Sequence, residues 1–277
     1  MLVGMKEILV DAMQKKYGVA APNVYDEFTV VACIRAAEEE KSPLILDFYE
    51  AMSDIFRFGK IAVGLAEAAS VPIAINLDHG GSFEVAIKAI RAGFTSIMVD
   101  RSTLPFEENV KEVAELTRIA HSVGVSVEAE LGHVGSGAQY GEDRDRGLTV
   151  PEEAVKFVEL TGVDCLAVAV GTAHGVYQSA PYLDQERLIE IRRLVKVPLV
   201  LHGGSGTGDE GLKKAIGNGI SKVNLFTDLS NAGHDALKAF IDGGGHSIIE
   251  DYNAGVNGFK DKLVHYIKLF GSDNKAW

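Results

Sequence analysis

Eight short apolar runs, separated by longer amphipathic stretches, recur along most of this chain. They are Val19–Val24, Leu44–Phe48, Ile73–Leu77, Ser96–Val99, Ser126–Leu131, Cys165–Val170, Pro198–Leu201 and Lys222–Leu225. Between them lie helical patterns such as Glu27–Lys41, Phe83–Ala92, Phe106–Val123, Pro151–Leu160, Gln185–Val195 and Glu210–Gly217. Strands that are apolar along their length need cover on both faces, which indicates a parallel sheet sheathed by helices. Eight such units predict an α/β chain closed into a (β/α)8 TIM barrel, with a doubly wound open sheet as the alternative. The length of 277 residues suits one barrel, for which about 250 is typical. No Pro- or Ser-rich linker and no change of composition interrupts the pattern, so residues 1–277 are expected to form a single domain. Beyond about Asn231 the chain reads as additional C-terminal helices, with Gly243–Gly245 as a flexible break.

Charge narrows the function. A net charge of -12 argues against nucleic-acid or anionic-membrane partners, which need a basic face. A small anionic ligand stays compatible, because oriented backbone dipoles can hold it locally. The two cysteines, Cys33 and Cys165, sit in apolar runs and read as reduced core residues of a cytoplasmic protein. The opening MLVGMKEILVDAMQKKYG carries charges throughout and shows no cleavable apolar segment, and no run is long enough to span a bilayer.

In parallel α/β folds ligands bind at the carboxyl ends of the strands. The residues there are polar. The third run ends in Asp78-His79-Gly80, the fourth in Asp100, and the fifth carries Glu128 and Glu130. His174 stands just past the sixth, His202 ends the seventh, and Asn224 lies in the eighth, followed by Thr227 and Asp228. A lone histidine after a strand is usually a capping or surface group. His79, His174 and His202, however, share one register and each precedes a glycine, which makes them a candidate zinc site with carboxylates nearby and an open coordination position. His121, His234, His246 and His265 fall in helical or tail segments and keep the ordinary reading, and His133 is left in its loop. The segment His202-Gly-Gly-Ser-Gly206 lets backbone approach a ligand closely, and a following strand that ends in Asn and Thr makes it a candidate phosphate site. The stretch Gly132–Thr149 is glycine-rich, charged and aperiodic, as functional loops often are.

These motifs carry a resemblance. Asn76–Gly80 (NLDHG), Val127–Gly132 (VEAELG), Asp164–Pro181 (DCLAVAVGTAHGVYQSAP), Leu199–Gly206 (LVLHGGSG), Lys222–Asp228 (KVNLFTD) and Leu269–Ser272 (LFGS) resemble the class II, metal-dependent ketose-bisphosphate aldolases over essentially the full chain. The wording is closest to the tagatose-bisphosphate branch, and fructose-bisphosphate and inositol-catabolic relatives share most of it. The resemblance implies reversible cleavage of a phosphorylated ketose, such as tagatose or fructose 1,6-bisphosphate, to dihydroxyacetone phosphate and an aldehyde. It implies a catalytic zinc on His79, His174 and His202, with Asp100 and Glu130 at a second or alternate metal position. Phosphate contacts are implied for Gly175, Gly203, Ser205, Asn224 and Thr227, with Asn23 also at the substrate and a monovalent cation near the phosphate. Asp78, beside a metal ligand, is the implied general acid/base, and a second acid comes from the loop after the fifth strand, where Glu142 is favoured over Asp143. Relatives are usually homodimers or homotetramers.

Three positions depart from the family pattern: Pro22 in Ala20-Ala21-Pro22-Asn23, Tyr49 after the second run, and Phe226 after the eighth. They spare the proposed metal and acid/base and bear on substrate identity. A ketose 1-phosphate without a distal phosphate is therefore an alternative substrate. Lys260, Lys262 and Lys268 are the candidates for a second phosphate, with solvated surface as the better reading of each. Three rival functions are a Schiff-base aldolase, which needs a desolvated lysine at a strand end, a metallohydrolase using metal-activated water, and a catalytically silent sugar-phosphate-binding barrel. Lys222 fits the first poorly: it is expected to begin the eighth strand, on the wrong face.

Overall fold

A computed structural model of the chain describes residues 1–137, 147–177 and 181–277. Eight strands alternate with helices in the predicted order. The strands are β1 (Val19–Pro22), β2 (Leu44–Tyr49), β3 (Ile73–Gly80), β4 (Ser96–Val99), β5 (Ser126–Leu131), β6 (Cys165–Val168), β7 (Leu199–Leu201) and β8 (Ile220–Leu225). All pair in parallel in the order β1-β8-β7-β6-β5-β4-β3-β2. The free edges of β1 and β2 meet at an Asn23–Asp47 bridge, where the Val24 amide donates to the Asp47 carbonyl over 2.8 Å. The sheet is thus a nearly closed (β/α)8 barrel, as expected. Boundaries differ from the sequence reading by one to three residues, the most at β3, which runs on from Leu77 to Gly80; β8 begins at Ile220, directly after a turn at Gly219 with φ of 113°.

The described residues form ten α-helices: α1 (Met5–Lys15), α2 (Glu27–Glu39), α3 (Ile55–Ala68), α4 (Phe83–Arg91), α5 (Phe106–Ser122), α6 (Pro151–Thr161), α7 (Gln185–Leu194), α8 (Asp209–Gly217), α9 (Thr227–Asp242) and α10 (Ile248–Phe270). Side-chain caps start several of them: Asp26 accepts from the Thr29 amide (2.8 Å), Asp54 from Arg57 (2.8 Å) and Ser82 from Val85 (3.2 Å). The apolar faces of these helices pack on the outward strand residues, as in the Phe48–Phe58 stack with ring centroids 4.2 Å apart. The added C-terminal helices are α9 and α10, joined through Gly243–Gly245. Cys33 and Cys165 are both buried and free. Among the described residues no helix is long and apolar enough to cross a membrane.

Strand alternation divides the barrel interior into levels. Met5, Ile8, Leu9 and Ala12 recur at helical spacing on α1 and bury against inward-facing Val19, Ile45, Ala74, Met98 and Cys165. Two residues further along their strands, the same inward parity that carries Ile45 carries Asp47, and the parity of Ala74 carries Asn76 and then Asp78. The interior therefore changes from apolar to charged toward the carboxyl ends of the strands.

Candidate active site and metal centre

The three histidines named from sequence converge. His79 Nε2 lies 3.2 Å from His174 Nε2 and 3.1 Å from His202 Nδ1. His79 reaches this position through a backbone irregularity. The pairing of β3 with β4 shifts register between Leu77 and Gly80, and His79 takes φ of 47°, in the left-handed region. Without the bulge, alternation would aim Asp78 and His79 at opposite faces of the strand.

Asp78 is buried beside the triad, its Oδ1 3.9 Å from His79 Nε2. Asn23 Nδ2 donates to Asp78 Oδ2 over 2.7 Å, and Asn224 Nδ2 donates to Oδ1 over 3.1 Å. Burial opposes its ionisation, but the charges of His79, His202 and Lys222 and the Asn23 hydrogen bond outweigh that and bring its pKa down to about 2. Burial likewise disfavours a charged His79, yet Asp78 and Asp100 raise its pKa to about 10. Burial and the neighbouring imidazoles lower His174 to about 3. The neighbouring carboxylates thus favour positive charge on His79, while His174 and His202 are held neutral.

Each outer contact decides which ring nitrogen faces inward. Asp100 Oδ2 accepts from His79 Nδ1 over 2.8 Å, leaving Nε2 toward the centre. Glu128 Oε1 accepts from His202 Nε2 over 2.9 Å, leaving Nδ1 toward it. Carboxylate–imidazole pairs of this kind orient metal ligands. Glu130 is buried, takes the Val134 amide on Oε1 at 2.9 Å, and among the described residues has no hydrogen-bond partner for Oε2. Burial, then the charge of Asp100, raises its pKa to about 8. His79, Asp100 and Glu130 also present ligand atoms within 4.8 Å of one another.

These donors fit zinc. Tetrahedral Zn–N bonds of about 2.0–2.1 Å place neighbouring nitrogens about 3.3 Å apart, against the 3.1 and 3.2 Å found.

A cavity of about 640 Å³ opens at this end of the barrel. Asn23, Asp78, His79, Asp100 and His174 line it together with Gly175, Gly203, Ser205, Asn224 and Thr227. Ser205 Oγ accepts the Phe226 and Asp228 amides, each over 3.2 Å, at the N-terminus of α9. Gly203 has φ of 66°, and a Cβ there would strike the Ala173 backbone, so the close approach of these loops requires glycine. Tyr49, Met52 and Phe226 also line the cavity, as does His133, which the sequence reading left out. Glu142 and Asp143 lie outside the described residues. Lys260 pairs with Glu39 over 2.7 Å and Lys268 with Glu40 over 3.0 Å, Lys262 stacks on Tyr266, and none lines the cavity.

Lys222 is a correction. It is the third residue of β8, not the first, and it points into the barrel, fully buried between Glu128 Oε2 at 2.7 Å and Asp47 Oδ2 at 3.1 Å. Burial works against its charge, but Asp47 and Glu128 more than offset this and raise its pKa. It is held as an ammonium, which is no nucleophile, so the Schiff-base reading fails on charge and not on direction.

A second cavity of about 550 Å³ lies near the start of β8, among the C-terminal ends of α1, α7 and α8. Of its cations, Arg192 donates to the Val195 and Val197 carbonyls just beyond the end of α7.

The fold and this constellation define a (β/α)8 barrel with a candidate metal site at the carboxyl ends of its strands. The chain belongs to the class II fructose-bisphosphate aldolase family, whose model matches residues 3–275, and it is an aldolase. It is 39% identical over 288 residues to a fructose-bisphosphate aldolase of Geobacillus stearothermophilus, covering 99% of both chains. It is 41% identical over 271 residues to the uncharacterized protein YdjI of Escherichia coli K12, covering 96% of both. The crystal structure of the YdjI aldolase from Escherichia coli K12 superposes over 100% of both chains, with a TM-score of 0.91 and 38% identity.

Proposed function

We propose that this aldolase is zinc-dependent and cleaves a phosphorylated ketose reversibly into dihydroxyacetone phosphate and an aldehyde. The observation that supports this most directly is the meeting of His79 Nε2 with His174 Nε2 and His202 Nδ1 at 3.2 and 3.1 Å, beside a buried carboxylate. His79, His174 and His202 would hold the zinc, with Asp100 and Glu130 offering an alternate position that shares His79. When bound, zinc supplies Lewis-acid stabilisation of the negative charge that develops on the ketose oxygens during carbon–carbon cleavage. Asp78, kept ionised, accepts the hydroxyl proton released as the bond breaks and returns it in the synthetic direction. Asn23 and Asn224 fix the orientation of its carboxylate. Ser205, Thr227 and the glycine backbone at Gly175 and Gly203 take the phosphate at the N-terminus of α9, where the helix dipole favours an anion. The resemblance assigns the second proton step to an acid of the loop after β5, where Glu142 is favoured over Asp143.

A second reading concerns the other end of the substrate. Among the described residues lining the cavity there is no Lys or Arg, and Tyr49, Met52 and Phe226 stand there instead. This favours a ketose 1-phosphate with an uncharged distal end over a bisphosphate. One assay tests both readings: cleavage of tagatose and fructose 1,6-bisphosphates and of several ketose 1-phosphates, with and without chelator, read as dihydroxyacetone phosphate. Chelator-sensitive cleavage is expected, with higher kcat/KM for a 1-phosphate. Chelator-resistant turnover rules out the zinc mechanism; a bisphosphate preferred tenfold or more rules out the second reading.

A further inference from the structure

We propose that Lys222 is a positioning residue: acting through Glu128, it fixes which nitrogen of His202 faces the histidine triad. The inference rests on the zinc reading for its purpose, though not for its geometry.

Lys222, Glu128, Asp47 and His202 are all fully buried inside the barrel. The Glu128 carboxylate has three partners, the Cys165 thiol donating weakly to Oε2 at 3.9 Å. Oε2 takes the Lys222 ammonium at 2.7 Å, and Oε1 takes His202 Nε2 at 2.9 Å. Asp47 holds Lys222 from the other side at 3.1 Å, and Asn76 Nδ2 donates to Asp47 Oδ1 over 2.8 Å. An ionised carboxylate only accepts hydrogen bonds, so the imidazole proton must sit on Nε2 and the Nδ1 lone pair must face the centre. A buried carboxylate is sustained by a paired cation, and Lys222 is the lysine paired with Glu128 among the described residues. Lys222 also lies two residues before Asn224, so alternation along β8 aims both into the barrel, one under the triad and one at Asp78. A single strand thereby sets the outer contact of His202 and the inner contact of the acid/base.

The arrangement has an unusual consequence. In Glu128→Gln the Lys222 ammonium can accept no hydrogen bond, so the amide must turn its oxygen to Lys222 and its NH2 group to His202 Nε2. That forces the imidazole proton onto Nδ1, toward the triad. Adding Lys222→Met frees the amide to turn its oxygen back to His202. The second substitution should therefore repair the first.

The test labels histidine with 15N and reads the His202 tautomer in metal-free protein by long-range proton–nitrogen correlation, with zinc affinity measured by chelator competition. Glu128→Gln is expected to move the proton from Nε2 to Nδ1 and to weaken zinc by about 10–100-fold. The Glu128→Gln/Lys222→Met pair should regain the Nε2 proton and most of the affinity. An unchanged tautomer in Glu128→Gln, or no recovery in the pair, overturns the proposal. If the parent chain shows the expected tautomer but binds no zinc, the zinc reading fails while the positioning role of Lys222 stands.

Discussion

Adjacent residues of a strand face opposite sides of a sheet, yet Asp78 and His79 meet in one site. Their roles can be separated by substitution. Asp78→Ala removes a carboxylate held by Asn23 and Asn224 but leaves the three imidazoles, so zinc content should persist while cleavage falls by about 10²–10⁴. Zinc content by metal analysis and turnover on the best substrate check this together; near-normal turnover would remove Asp78 from the proton step. At this scale the sequence was informative where residues end strands. His79, His174, His202 and Asp78 stood out because polar groups at or just past the ends of apolar strands have no packing role. Glu128 and Lys222 did not stand out in the same way. Alternation shows that Lys222 shares a face with Asn224, but only the assembled barrel shows that this face is the interior and that Asp47 and Glu128 wait there.

The element that matters most is the distorted end of β3. Its bulge turns His79 inward, and the distortion leaves no room at the next residue: a Cβ on Gly80 would come within 2.5 Å of the Met98 carbonyl and 2.7 Å of a Leu77 methyl. Gly80→Ala must push β4 away or flatten the bulge. Overpacking of this kind costs about 1–3 kcal/mol, and flattening also moves His79 off the triad. Denaturant titration should show the lost stability, and zinc affinity should fall with it; a folded, fully zinc-competent Gly80→Ala chain would show that the bulge does not set His79. Hydrophobic periodicity located every strand but could not register this feature, because a bulge is a break in period. Helix α1 shows the complementary difficulty. Its charges are conspicuous in the sequence, while its apolar face Met5, Ile8, Leu9, Ala12 becomes meaningful only against the barrel interior it covers.

Across the whole molecule, the site and the fold are one structure, since the triad draws on β3, β7 and the segment after β6. Bringing three imidazoles and several carboxylates into the same buried space opposes folding until a cation joins them. If the site holds zinc as proposed, its binding is coupled to global stability. At a free zinc concentration of about 1,000 times its Kd the native state gains about 4 kcal/mol, which for a chain of this size raises Tm by roughly 8–16 °C. Thermal unfolding with chelator and with zinc should show that difference in the parent chain. His174→Ala keeps the barrel, since His174 lies in a loop beyond β6 and is not a strand residue, but it should lose most of the zinc-dependent shift along with activity. Asp78→Ala should keep the shift. Equal shifts in the parent and His174→Ala would place the stabilising ion elsewhere, whereas loss in His174→Ala and retention in Asp78→Ala would assign the ion to the triad and leave the carboxylate to the chemistry.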